Sequence, residues 1–125
     1  MMNDLLFWLY LANAVLLIDH EIDSAYWKEW ELFKLPVGPS GFLLLHFPLL
    51  FFILYGLTLV SRQSPWGLIF SLALCFGGIF AFAIHTYFLK KGRKEFDQPV
   101  SKYILAAILL TSMVQLAVTA YLLMV

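Results

Sequence analysis

Three uninterrupted apolar stretches, residues 41–60, 68–89 and 103–125, constrain this chain more than any other feature. Each is long enough to cross ~30 Å of hydrocarbon at ~1.5 Å of helix per residue. A helix closes its backbone hydrogen bonds within one segment, as a lipid surrounding demands. Composition agrees: 62% of the chain is hydrophobic and 13% charged, against roughly half and a quarter in a soluble domain. The formal net charge is zero, which removes the electrostatic footprint of a nucleic-acid binder. The expected partner is therefore membrane lipid, and no nucleic acid.

A further run, residues 5–18, has 14 residues, about 21 Å of helix. By length alone it suits an interfacial or re-entrant piece. No glycine or proline precedes Pro36, however, so the pattern predicts a spanning helix that continues past its apolar run into an amphipathic interface segment. The opening Met-Met-Asn-Asp lacks the positive charge of a secretory signal, and the run is read as retained. The expected fold is all-α, a single four-helix transmembrane domain with spans near 5–22, 41–61, 68–89 and 103–125. Pro36-Val37-Gly38-Pro39 turns the chain back, and residues 62–67 close a tight hairpin. The lone cysteine, Cys75, lies mid-run and reads as a small packing residue.

With four spans, residues 19–40 and 90–102 share one side of the membrane. They carry Lys28, Lys34, Lys90, Lys91, Arg93, Lys94 and Lys102, whereas the opposite side carries Arg62 alone. The positive-inside rule then puts both termini outside (N-out, C-out) in a multi-pass membrane protein, and the expected location is the bacterial cytoplasmic (inner) membrane, as the resemblance below implies.

That topology gathers the chain's three histidines. His20 closes the first span, His46 stands early in the second, and His85 stands near the end of the third, all at the basic boundary. Ser71, Cys75, Gly78 and His85 follow three- or four-residue steps, so His85 is expected to face inward with the small residues. His20 and Asp23 share a helix face. Histidines with one or two carboxylates suit zinc, iron or manganese, with His20, Asp23, His46 and His85 as ligands and Glu21 or Asp19 as a general base. A b-haem between His46 and His85 is a further option.

Other readings of the same residues stand beside that one. Asp19 or Glu21 could pair with Lys28 or the basic 90–94 loop. The cluster could hold helices together or relay protons in a non-enzymatic subunit. A transporter built from four helices would call for a homo-oligomer. Tyr26, Trp27 and Trp30 suit an aromatic interface belt. Asn13 and Gln115, deep in their helices, suit bonds across the bundle. Tyr103, Ala107, Thr111, Gln115 and Thr119 form a mildly polar stripe at four-residue steps. Whether the chain is an enzyme stays open at this level.

At HEIDSAYWKEWELF, residues 20–33, the chain resembles small bacterial four-helix integral membrane proteins of unknown function. Its H-x-x-D at His20 and Asp23 is also distantly similar to the HXXEE type, with Asp23-Ser24 where two glutamates stand in that pattern. The resemblance implies location and fold, and no chemistry.

Overall fold

The computed structural model describes residues 1–125 and is all helical. Its elements are α1 (Met2–Tyr26), α2 (Glu29–Leu32), α3 (Gly38–Ser61), α4 (Pro65–Lys90) and α5 (Pro99–Met124). The four long helices are long and apolar enough to cross a membrane. They make an antiparallel ring in which α1 packs on α3 and α5, and α4 on α3 and α5, while α3 and α5 do not touch.

The outer surface is more apolar than that of a water-soluble bundle, and polar groups join an apolar core inside. Large apolar side chains such as Leu44, Phe47, Phe51 and Phe80 face outward. Asn13, Ser71, Ser112, Gln115 and Thr119 are sealed inside. Those five form a directed network: Asn13 Nδ2 donates to Gln115 Oε1 (2.9 Å), Gln115 Nε2 to Ser71 Oγ (2.9 Å), and Ser71 bonds Thr119 Oγ1 (2.7 Å). Asn13 also donates to Ser112 Oγ at 3.1 Å. Such bonds satisfy groups that lipid cannot, and join α1, α4 and α5. Asn13 and Gln115 thus bond across the bundle, as their depth implied.

Small residues bring the helices close. A Cβ on Gly78 would collide with Ser112 Oγ, and one on Gly56 with Tyr10 Oη. Tyr10 Oη in turn donates to the Ile53 carbonyl at 2.8 Å, tying α1 to α3. On α4 the face of Ser71, Cys75, Gly78 and His85 is buried, as its spacing predicts.

On α5 the buried face differs from the four-residue stripe. Ser101, Leu105, Ile108, Ser112, Gln115 and Thr119 point inward, and Tyr103 points out. Four residues overshoot a 3.6-residue turn by about 40°, so the stripe starts off the core face at Tyr103 and winds onto it by Gln115 and Thr119.

The segment after α1 also differs from a continuous helix. α1 ends at Tyr26, Lys28 takes a left-handed φ of 53°, and α2 runs on a new axis. Trp30 consequently leaves the interface belt, becomes buried and packs on Phe42, ring centroids 5.4 Å apart. Tyr26 stays exposed, as a belt residue should.

Candidate metal centre

The break at Lys28 decides what the basic end of the bundle contains. On an unbroken α1, Glu29 would stand nine residues beyond His20, about 13 Å along the axis. With the chain turned, α2 instead carries Glu29 back over the bundle mouth, where Oε2 lies 2.9 Å from His85 Nε2. His20, Glu29 and His85 each bring one donor atom into a group whose members all lie within 4.8 Å of one another. The His20 and His85 rings meet at right angles with centroids 4.6 Å apart. This trio could hold a metal ion.

The surroundings fix the rings. His85 Nδ1 lies 2.8 Å from the Ala81 carbonyl oxygen, which can only accept, so Nδ1 carries the proton. In the neutral ring, Nε2 then presents its lone pair towards Glu29. Backbone anchoring of one nitrogen while the other faces out is the usual arrangement around metal-bound histidine. His20 is buried to 1% exposure, and its Nδ1 has no hydrogen-bond partner. An orphaned buried polar atom of this kind costs about 1–3 kcal/mol.

Phe96 covers the pair. It comes from the loop between α4 and α5, is 1% exposed, and sets its ring 4.2 Å from His85 and 5.5 Å from His20 by centroids. Its φ of 66° is left-handed, a conformation that costs a phenylalanine roughly 1–2 kcal/mol and is held by the burial of the ring. At Glu29, burial pushes the carboxyl pKa up, but a hydrogen bond that His85 donates when its ring is protonated, one from Ser24, and the charge of the adjacent imidazoles outweigh it and set the group below its ordinary value.

The remaining candidates fall into two places. Glu21 lines the same cavity as His20, Glu29 and His85, and contacts His46 Nε2. His46 Nδ1 bonds the Phe42 carbonyl at 2.7 Å, so this ring repeats the His85 arrangement. Glu21 therefore pairs with a histidine, not with Lys28 or the basic loop. Asp19 and Asp23 lie across α1, in a groove shared with Tyr26, Trp27 and Ser101 of the α5 side. Asp23 is outside the trio: at three residues from His20 it shares a face only approximately, and that offset turns it towards α5. Glu29 stands where Asp23 was expected. For a b-haem, His46 and His85 would have to face a common iron, but each directs Nε2 to a different glutamate.

Behind the polar end, the cavity of about 180 Å³ runs between α3 and α4 past Leu49, Phe52, Gly77 and Phe80. Leu49, Phe52 and Phe80 are also exposed on the outer surface, so this arm opens sideways towards lipid. A Cβ on Gly77 would meet nothing within 4 Å.

Glu29 and Phe96 were not singled out from the sequence. Neither has a local signal, because both reach the site through left-handed turns at non-glycine residues. A family model described as "Family of unknown function (DUF6713)" matches residues 6–122. No curated protein matches the chain, and neither does any solved structure.

Proposed function

The chain belongs to DUF6713, a family of unknown function, so membership supplies no chemistry, and we propose from the geometry that it is a metal-dependent membrane enzyme with its centre at His20, His85 and Glu29. The observation that carries this reading is the buried His20 imidazole, without a hydrogen-bond partner, beside His85 Nε2 and the Glu29 carboxylate.

Two imidazoles and one carboxylate make a three-ligand set. Closed structural sites use four protein ligands, whereas catalytic sites keep a position open for water or substrate. The set suits zinc, iron or manganese. The 2.9 Å between His85 Nε2 and Glu29 Oε2 is close to the ~3.3 Å edge implied by ~2.0–2.1 Å bonds in a tetrahedron, so a small side-chain adjustment accommodates an ion.

The substrate class follows from the cavity. One end is polar, and the other is an apolar arm open towards the bilayer between α3 and α4. That shape fits an amphipathic molecule with its head at the metal and its chain in the arm. The basic loops lie at the same end, so the positive-inside rule supports a centre at the cytoplasmic face.

A second reading is a metal-free cluster in a proton-handling or structural subunit. The His85–Glu29 and His46–Glu21 contacts favour it to the extent that each also fits an imidazolium–carboxylate pair. Elemental analysis of protein purified in detergent without chelator separates the two. Near-stoichiometric metal that His20→Ala and His85→Ala both lose supports the enzyme reading. Metal-free protein that also takes up none on dialysis against zinc, iron(II) or manganese(II) leaves the proton-handling cluster.

A further inference from the structure

We infer that Glu21 and His46 hold a second divalent cation beside the first, making this a two-metal centre. The inference rests on the reading of His20, His85 and Glu29 as metal ligands, and adds a site to it. Glu21 is next to His20 in sequence, so α1 presents the two residues about 100° apart on one turn. His20 faces α4, while Glu21 faces α3 and meets His46 there. Glu21 nonetheless lines the same cavity as His20, Glu29 and His85, so both carboxylates look into one chamber from neighbouring walls.

The two halves are built alike. In each, a histidine donates Nδ1–H to the carbonyl four residues earlier, Phe42 for His46 and Ala81 for His85. In each, that bond aims Nε2 at a glutamate oxygen, so the neutral ring sets one acceptor against another. A cation between them removes that conflict. The His46 ring is held further by stacking on Phe42, centroids 3.8 Å apart, and Phe42 by Trp30. This rigid support suits a ligand better than a mobile surface histidine.

One ion does not serve all five residues. The convergent group within 4.8 Å contains His20, Glu29 and His85 and leaves out both Glu21 and His46. Each carboxylate has a second oxygen and both line the same cavity, so Glu29 or Glu21 would be the residue to reach both ions of a two-metal site, where the ions stand roughly 3.5–4 Å apart. The chamber lining has no lysine or arginine to balance the two glutamates. A Glu21 engaged in this way is a ligand and no longer a free general base.

Manganese(II) is a suitable probe, because two close ions couple magnetically and give a spectrum distinct from isolated ions. Full-length protein in detergent would be titrated with manganese(II), read by electron paramagnetic resonance and by bound metal per chain. Two ions per chain with a coupled spectrum are expected for the wild type, and one uncoupled ion for Glu21→Gln and for His46→Ala. Glu21→Gln is nearly isosteric, and circular dichroism checks that both variants remain folded. One uncoupled ion per wild-type chain would overturn the second site and leave the first intact. Two coupled ions retained in both variants would overturn its assignment to Glu21 and His46. No binding of manganese(II), and none of zinc(II) or iron(II) offered in its place, would overturn both sites together.

Discussion

Glu29 lies 2.9 Å from His85 Nε2 because Lys28, one residue earlier, adopts a left-handed φ of 53°. The candidate centre therefore depends on a turn as much as on its ligands. Lys28→Gly should keep the turn, relieve strain and leave metal content unchanged, with a gain of a few tenths to ~1 kcal/mol. Lys28→Pro fixes φ near −65° and should displace Glu29, lowering metal content at least tenfold. Comparing bound metal in the two variants checks this. Equal content in both would show that the turn does not position the carboxylate.

The interior network should matter to stability and not to metal. Gln115→Leu removes one partner each from the Asn13 amide and the Ser71 hydroxyl, which keep Ser112 and Thr119. Its cost should be about 1 kcal/mol, in the range measured for hydrogen bonds between membrane helices. Reversible unfolding of the detergent-solubilised protein in sodium dodecyl sulfate reads the cost. An accompanying loss of metal would mean that the network and the centre are coupled.

Gly77 and Gly78 are neighbours with opposite expected outcomes. Gly78→Leu drives a side chain into Ser112 and should destabilise the bundle by about 1–3 kcal/mol. Gly77→Leu enters open space and should leave stability and metal content near wild type. It fills the apolar arm, so binding of a fatty acid, read by displacement of a fluorescent analogue, should weaken severalfold. Unchanged fatty-acid binding in Gly77→Leu would rule out the arm as the chain's route.

The Glu29 carboxyl gives a sign for pH. Its folded pKa lies below the ordinary 4.5, so its contribution to stability is complete above that value and is lost as pH falls through the folded one. Thermal melting of metal-free protein should therefore show an acid-side decline below about pH 4.5 that is shallower in Glu29→Gln. Parallel declines in the two proteins would contradict the assignment.

What the sequence made legible followed from periodicity and topology. Long apolar runs announced the helices, the basic loops paired one end of each, and the small-residue face of α4 pointed His85 inward. The shared depth of His20, His46 and His85 was visible for the same reason. Direction around an axis was less visible. Asp23 turns out towards α5, and the i+4 stripe begins outside the core at Tyr103 and reaches it only at Gln115 and Thr119, because errors of 40° to 60° per step accumulate over a 3.6-residue turn. Glu29 and Phe96 were hidden for another reason. Left-handed turns at Lys28 and Phe96 occur without the glycine that normally advertises them.

The most direct test of the proposed centre is cobalt(II) absorption. Protein loaded with cobalt(II) should show visible bands of a low-coordinate ion in the wild type and in Asp23→Asn, and should lose them in His85→Ala and Glu29→Gln. Bands that survive in both of those variants, or that vanish in Asp23→Asn alone, would contradict a centre built from His20, His85 and Glu29.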